Sequence, residues 1–276
     1  MRAYPLSTPL LLAGCGRMGG ALLEGWLDRG FEPGMIKIVE PDATIAAARG
    51  QRHGIAAHPD PDAIGADFSP QVVVFAVKPQ NMDAVAPAYC HFAGPGTVFL
   101  SIAAGKTLGY FENQLGPRAA IVRAMPNTPA AVRRGITVAC PNARVTAEQK
   151  HLCGELLSAV GEVAWIADES LLDAVTALSG SGPAYVFLLA ECMAQAGIEA
   201  GLPEGLANQL ALATVSGSGE LLRLADEPPE VLRQNVTSPG GTTAAALRVL
   251  MAEDAFQPLL SKAIAAAARR SRELAG

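Results

Sequence analysis

The first 167 residues alternate between short apolar runs and helical patterns. The runs are apolar at consecutive positions and cover residues 9 to 13, 35 to 40, 72 to 77, 97 to 103, 119 to 125, 136 to 140 and 163 to 167. Strands that are covered by helices on both faces have this pattern. The sequence therefore predicts an α/β domain over residues 1 to 167, built on a doubly wound, mostly parallel sheet.

From residue 168 to 276 the strand pattern stops and helical patterns follow one another. Pro183, Pro203 and Pro258 stand where predicted helices begin, a position that tolerates the missing N–H of proline. The helices are rich in alanine and apolar on more than one face, so they need burial beyond their own all-α domain. We expect a homodimer through this domain; a tightly packed monomeric bundle is the alternative.

Composition narrows the range of partners. Half of the 276 residues are hydrophobic, 17% are charged, and the net charge is −5 without a basic cluster. We therefore expect a small-molecule partner, no nucleic acid and no membrane, since no apolar run approaches the roughly 20 residues of a spanning helix. Five cysteines with no metal-ligand spacing fit a reducing cytoplasm and predict no metal site.

A glycine-rich turn follows the first predicted strand. Gly14, Gly16 and Gly19 form the pattern GxGxxG, and an apolar helical face follows them. The first glycine permits a tight turn, the second a close approach to a pyrophosphate, and the third close packing of the helix. In this position the motif favours dinucleotide binding over a purely structural turn.

Two side chains at strand ends are further cofactor candidates. Glu40 ends the second predicted strand, where a carboxylate accepts hydrogen bonds from a ribose and repels a 2′-phosphate, so it favours NAD over NADP. Arg49 or Arg52 could still reach a phosphate. Lys78 follows the third of these strands and either faces the cofactor or is only solvated.

The segment NVTSPGGTTAAAL begins a helix in an unusual way. The backbone amides of Gly240, Gly241 and Thr242, with the hydroxyls of Ser238, Thr242 and Thr243, surround the predicted helix start. Such a start binds anions, because its amides are free and the helix dipole is positive there. Simple capping by Ser or Thr is the alternative. A second start, LSGSGPAY at residues 178 to 185, could face the same cleft.

The predicted helical domain contains no histidine and, before Lys262 in its last helix, no lysine. All four histidines precede it, and no lysine lies between Lys150 and Lys262. Oxidation of an alcohol commonly uses such a base. Reduction of a cyclic imine needs less, because an iminium arrives already protonated and has only to be held against the hydride donor.

Six motifs in this order, GCGRMG, FAVKPQ, SIAAGKTL, RAMPNTPA, LSGSGPAY and NVTSPGGTTAAAL, closely resemble the pyrroline-5-carboxylate reductase family. The resemblance spans nearly the whole chain. It implies a Rossmann domain followed by a dimerisation domain like the C-terminal domain of 6-phosphogluconate dehydrogenase. It further implies NAD(P)H-dependent reduction of 1-pyrroline-5-carboxylate to L-proline, the last step of proline biosynthesis, and dimers that can assemble into a decamer.

The resemblance also implies roles for individual residues. Ser238, Gly240 and Gly241, beside Thr242, would hold the substrate carboxylate, and Thr243 would hydrogen-bond the ring nitrogen as the catalytic residue. The cofactor-binding residues expected from the motifs together are Gly14, Cys15, Gly16, Arg17, Met18, Gly19, Glu40, Val77, Lys78, Ala104 and Asn235. Glu40 departs from the small hydroxyl or basic residue that NADPH-preferring members tend to have, which leaves the choice between NAD and NADP open.

Three other functions remain as alternatives. A different cyclic imine reductase could share the same architecture with a larger pocket. A β-hydroxyacid dehydrogenase has a similar architecture but uses a lysine in its helical domain, and this chain lacks that lysine. A nucleotide-sensing binding protein without activity would keep the cofactor motif, although retention of the carboxylate motif argues against it.

Overall fold

The structure, a computed structural model, describes residues 8–65 and 67–275. The chain divides into two compact units. The first unit runs to Gly180 and also contains the chain from Ala268 onward, and the second unit is Ser181–Ala267. Residues 168 to 180, which follow the predicted boundary near residue 167, pack within the first unit.

The first unit is built on one eight-stranded sheet. The strands are β1 (Leu10–Ala13), β2 (Ile36–Val39), β3 (Ala56–His58), β4 (Val72–Phe75), β5 (Val98–Ser101), β6 (Ala120–Met125), β7 (Gly135–Pro141) and β8 (Gly161–Trp165). Their order is β3-β2-β1-β4-β5-β6-β7-β8, and every neighbouring pair is parallel except β6 and β7. All seven predicted strands are present, and β3 is an additional strand that the sequence pattern does not predict.

Helices cover the sheet and build the second unit. They are α1 (Arg17–Asp28), α2 (Ala43–His53), α3 (Met82–Val85), α4 (Leu108–Leu115), α5 (Ala147–Ser158), α6 (Leu172–Val175), α7 (Gly182–Glu199), α8 (Glu204–Leu224), α9 (Pro229–Asn235), α10 (Thr242–Leu250) and α11 (Phe256–Ala275). Thr146 and Gln149 form a reciprocal capping box at the start of α5, as predicted. Pro258 is the third residue of α11 and lies in its first turn.

The sheet has an apolar core on each face. Leu10 and Leu12 of β1 point into one core, which also contains Trp26 of α1. Leu11 and Ala13 point into the other. All of these side chains are buried, because a strand covered on both sides directs successive residues to opposite cores. The consecutive apolar runs of the sequence have this origin.

An irregular helical segment joins the sheet to the second unit. It consists of the 3-10 turn Glu169–Leu171, then α6, then the π-helical turn Thr176–Gly180. Leu172 is fully buried in a small core with Val138 and Cys140 of β7. This packing explains why the segment belongs to the first unit.

The second unit exposes much apolar surface. Only small side chains, such as Ala194 of α7 and Ala207 and Ala211 of α8, are buried in these two helices. The larger apolar side chains that are exposed include Val186, Phe187, Leu188, Leu189, Leu206, Leu210, Leu212, Leu221, Leu222, Leu224, Val249, Leu250, Met251 and Leu259. Helices with so little buried surface require another partner surface.

One helical segment in the described part of the chain, Glu169–Glu199, is long and apolar enough to cross a membrane by length and composition alone. The sequence predicts no apolar run of that length. The segment passes because residues 174 to 190 contain no charged side chain, although serine, threonine and glycine interrupt the apolar positions. A helix with an unpartnered apolar face passes the same test, so the finding by itself is weak evidence for a membrane.

Candidate functional site

An open crevice of about 1090 Å³ lies at the carboxyl ends of the central strands in the first unit. Its walls are the residues Cys15, Gly16, Arg17, Met18, Thr44, Ile45, Ala48, Arg52, Ala76, Val77, Lys78, Pro79, Ile102, Ala103, Ala104, Met125 and Pro126. The strand order reverses between β1 and β4: β2 and β3 lie on one side of β1, and β4 and the later strands lie on the other. Dinucleotides bind at this switch point in doubly wound folds.

The glycine-rich turn has the geometry that such a ligand needs. Gly14 has a φ of +85°, a backbone conformation that favours glycine, and a Cβ at Gly19 would overlap the carbonyl oxygen of Gly14. A Cβ at Gly16 would meet nothing within 4 Å, although Gly16 lines the crevice. The backbone at Gly16 is therefore open to a ligand, and α1 begins directly after it with no described side chain capping its N-terminus. These features fit a pyrophosphate.

Glu40 is anchored rather than solvated. Glu40 is only 9% exposed, and its Oε2 accepts a hydrogen bond from the backbone N–H of Cys15 at 2.8 Å. Oε1 accepts from the N–H of Asp42 at 3.1 Å. Each carboxylate oxygen can accept a further hydrogen bond, so the group can still bind a ribose diol. The position of the carboxylate is fixed by two backbone contacts.

Three cationic side chains line the crevice. Lys78 is exposed at the start of the 3-10 turn Pro79–Asn81, and Arg17 is exposed in the first turn of α1. Arg52 of α2 also pairs with Glu24 at 3.4 Å. A crevice of this charge attracts an anion such as a pyrophosphate.

The end of the crevice near β6 is positioned by the irregular helical segment. Met125 and Pro126 line the crevice there. Gly180, at the end of the π-helical turn, lies so close to Met125 that a Cβ would overlap the methyl group of Met125. Asn127 accepts from the N–H of Ile136 at 3.0 Å and donates to Ser179 Oγ at 3.4 Å. The π-helical turn and the loop after β6 are therefore in contact, a relationship that the sequence does not indicate.

The second predicted anion site lies in the second unit. Gly241 precedes α10 as its N-cap, and no described side chain accepts a hydrogen bond from the first-turn amides there. Gly240 has a φ of +72°, and Gly241 donates its N–H to the carbonyl of Ser238 at 3.0 Å, which forms a tight turn. Thr243 is half-buried in the first turn of α10. The uncapped amides are available to an anion.

The predicted cofactor-binding residues fall into three groups. Cys15, Gly16, Arg17, Met18, Val77, Lys78 and Ala104 line the crevice, whereas Gly14, Gly19 and Glu40 support the turn and strand end that form it. Asn235 lies in the second unit, as the exposed last residue of α9. Thr44, Ile45 and Ala48 of α2 also line the crevice and are not among the predicted residues; their position on the helix that follows β2 and Glu40 was the available signal.

Two other expectations concern segment 178 to 185 and metals. The segment contains the end of the π-helical turn Thr176–Gly180 and the start of α7, where Ser181 makes no capping hydrogen bond. Its role as a second anion site stays a prediction. Across residues 8–65 and 67–275, no group of three or more His, Cys, Asp or Glu side chains is placed to hold a metal ion.

Comparisons with known proteins agree with this architecture. Residues 169–274 match the family model described as pyrroline-5-carboxylate reductase dimerisation, and residues 10–105 match that of NADP oxidoreductase, coenzyme F420-dependent. The pyrroline-5-carboxylate reductase of Pseudomonas aeruginosa is 40% identical over 98% of both chains. That of Synechocystis is 39% identical over 98% of this chain and 99% of its own.

Comparison with solved structures also finds pyrroline-5-carboxylate reductases. A pyrroline-5-carboxylate reductase from Coxiella burnetii superposes with a TM-score of 0.91 at 34% identity, covering 97% of this chain and 98% of the other. The Plasmodium falciparum enzyme, solved with NADP bound, has a TM-score of 0.80 at 28% identity and covers 98% of each chain.

Fold, crevice and comparisons define the class: the protein is a Rossmann-type oxidoreductase that uses a nicotinamide cofactor. Within that class, the chain belongs to the pyrroline-5-carboxylate reductase family. The predicted fold class and family are thereby confirmed.

Proposed function

We propose that this protein reduces 1-pyrroline-5-carboxylate to L-proline with NADH or NADPH, as the last step of proline biosynthesis. The observation that carries this proposal is the match at 40% identity over 98% of both chains to a reductase of that name. The crevice of the first unit and the uncapped start of α10 in the second supply the two kinds of binding site that the reaction requires.

The start of α10 holds the substrate. Gly241 shapes the turn, because its N–H donates to the carbonyl of Ser238. The amides of Gly240 and Thr242, together with the hydroxyls of Ser238 and Thr242, bind the carboxylate, because an uncapped helix N-terminus stabilises a negative charge. Thr243 stands one residue further into the first turn and hydrogen-bonds the ring nitrogen. Both ends of a small ring are thereby fixed, which orients the C=N carbon.

No general base is required of the second unit. The iminium form of the substrate already carries its proton on nitrogen, and reduction adds one hydride to the carbon of the C=N bond. The product is a secondary amine, which takes any further proton from solvent. The second unit contains no histidine and only one lysine, Lys262, and this composition is compatible with the reaction.

The crevice holds the cofactor. When bound, the reduced nicotinamide supplies the hydride. Gly14, Gly16 and Gly19 shape the turn that receives the pyrophosphate, and Arg17 adds positive charge. Val77, Lys78 and Ala104 line the same crevice, and Asn235 is the proposed contact from the second unit. Glu40 favours NAD, because its fixed carboxylate accepts from a ribose diol and repels a 2′-phosphate.

The exposed apolar helices of the second unit support a homodimer, and dimers of this kind can assemble further into a decamer of five dimers. The family description of residues 169–274 names dimerisation. A partner subunit would also cover the apolar side chains of Glu169–Glu199, which explains that segment without a membrane. We place the protein in the cytoplasm, with a small molecule as its ligand and no nucleic acid partner.

A panel of three imines tests the substrate. Initial rates are measured with 1-pyrroline-5-carboxylate, with 1-pyrroline, which lacks the carboxylate, and with the six-membered 1-piperideine-6-carboxylate. We expect kcat/KM to fall by about 100-fold or more without the carboxylate, since a charge-assisted contact is lost. A higher kcat/KM for the six-membered ring would favour a different cyclic imine reductase. Cofactor binding without turnover of any imine would favour a nucleotide-sensing protein.

A further inference from the structure

The turn between β2 and α2 carries a second acidic side chain beside Glu40. Asp42 is the N-cap residue of α2, and its Oδ1 accepts hydrogen bonds from the backbone N–H groups of Thr44 at 2.9 Å and Ile45 at 3.2 Å. Thr44 and Ile45 both line the crevice. The start of α2 therefore faces the same space as the glycine-rich turn, at the end where Glu40 lies.

The first-turn amides of a helix are natural donors to a phosphate. At the start of α2 two of them are already satisfied by Asp42. The same side chain adds a negative charge at this helix start, next to the crevice residues Thr44 and Ile45 that it caps. The capped start of α2 therefore has less affinity for an anion than the uncapped start of α10.

Asp42 and Glu40 are also directly connected. The backbone N–H of Asp42 donates to Glu40 Oε1 at 3.1 Å, while Glu40 Oε2 receives the N–H of Cys15. A ribose hydroxyl group can donate to the remaining acceptor sites of Glu40, whereas a 2′-phosphate has no proton to donate when it is fully ionised. Arg52 is the cation of α2 that lines the crevice, and it is already paired with Glu24.

We propose that Asp42 is a second determinant of cofactor choice, which acts against NADPH by occupying the amides of Thr44 and Ile45 and by adding a second negative charge beside Glu40. The inference rests on the proposed binding of a nicotinamide dinucleotide in this crevice. Because the two carboxylates act together, replacement of Glu40 alone leaves the phosphate facing Asp42. A full change of preference requires both positions to be altered.

Two substitutions separate the charge of Asp42 from its capping role. Asp42→Asn removes the charge and keeps an oxygen that can accept from the same amides. Asp42→Gly removes the charge and frees the amides, and glycine is tolerated at an N-cap with little loss of stability. Asp60→Gly is the matched control, since Asp60 also caps a helical turn, through the N–H of Ala63 at 2.9 Å, but Ala63, unlike Thr44 and Ile45, does not line the crevice.

The measurement is binding to the full-length protein without an imine substrate. Dissociation constants for NADH and NADPH are obtained from cofactor fluorescence, and those for AMP and adenosine 2′,5′-bisphosphate from calorimetry. We expect the preference for the 2′-phosphorylated ligand, relative to wild type, to rise about 3-fold in Asp42→Asn and about 10-fold in Asp42→Gly. Glu40→Ser combined with Asp42→Gly should raise it by about 100-fold, and Asp60→Gly should leave it unchanged.

The proposal would be overturned if the preference for the 2′-phosphorylated ligand were the same in Asp42→Gly, Asp42→Asn and Asp60→Gly. Equal increases in the first two would overturn the part that concerns the amides and leave only the charge. Failure of both NADH and NADPH to bind the wild-type protein would overturn both this proposal and cofactor binding in the crevice. Binding without reduction of 1-pyrroline-5-carboxylate would count against the proposed reaction alone, because these constants do not depend on turnover.

Discussion

Arg123 of β6 and Glu169 form an ion pair of 2.7 Å, and the side chain of Arg123 is only 8% exposed. The same oxygen of Glu169 accepts the backbone N–H of Leu108, at the start of α4. Glu169 is the first residue of the 3-10 turn that leads to the second unit. One carboxylate thus ties a central strand and a helix start to the segment that leaves the sheet.

The first prediction follows from this ion pair. Glu169→Ala should lower the free energy of unfolding by about 2 to 3 kcal/mol, because it leaves a buried guanidinium without a partner; partial exposure of Glu169 keeps the value below that of a fully buried pair. Urea unfolding followed by circular dichroism gives the value. The double variant Arg123→Met with Glu169→Ala should recover part of the loss. A loss below about 0.5 kcal/mol in Glu169→Ala would show that the pair contributes no more than a surface ion pair.

The second prediction separates folding from cofactor binding in the glycine-rich turn. Gly19→Ala should destabilise the protein, because the added Cβ overlaps the carbonyl oxygen of Gly14. Gly16→Ala should fold normally, since its Cβ meets nothing within 4 Å, but it should bind NADH about 10-fold or more weakly by keeping the pyrophosphate away from the backbone. Thermal unfolding and cofactor fluorescence measure the two effects. Wild-type affinity in a folded Gly16→Ala variant would contradict the placement of the pyrophosphate.

The third prediction concerns Thr243. Thr243→Val keeps the shape of the side chain and removes the hydroxyl, so kcat should fall by about 10- to 100-fold, the scale of one positioned hydrogen bond at the reacting centre. Thr243→Ser should retain most of the activity, and the affinity for NADH should be unchanged in both variants. Steady-state kinetics and cofactor titration test this. An unchanged kcat in Thr243→Val would leave the hydroxyl with no part in the reaction.

The fourth prediction concerns assembly. Light scattering after size exclusion should give at least twice the 28.5 kDa mass of one chain, and a mass of ten chains would establish the decamer. Phe187→Glu, on α7 and 61% exposed in the single chain, should weaken the assembly by placing a charge in the apolar interface. Val132→Glu is the control, because Val132 is 69% exposed in the first unit. A wild-type protein with the mass of one chain would contradict the dimer.

The sequence predicts most strands because a doubly covered sheet needs apolar residues at consecutive positions, as in β4 and β5. Strand β3 has no such run: it is a three-residue edge strand, Ala56–His58, with one exposed and two half-buried residues. Its existence depends on pairing with β2, which is a tertiary contact. Local pattern gives no indication of a strand of this kind.

In the candidate site, too, some features follow from local sequence and others depend on tertiary contacts. The GxGxxG pattern and the SPGGTT segment carry their geometry in local backbone conformation, so both could be identified from the sequence. The anchoring of Glu40 depends on the amide of Cys15, 25 residues away, and the fit between Gly180 and Met125 depends on a π-helical turn. These contacts arise only when distant segments pack together. They fix how the crevice is shaped rather than where it lies.

The most direct test of the proposed reaction is its stoichiometry. Purified protein is incubated with 1-pyrroline-5-carboxylate and either NADH or NADPH, and L-proline is quantified against the loss of nicotinamide absorbance. We predict one L-proline formed for each cofactor oxidised, with a higher kcat/KM for NADH because of Glu40. Oxidation of neither cofactor, or oxidation without formation of proline, would contradict the assignment of this reaction to the protein.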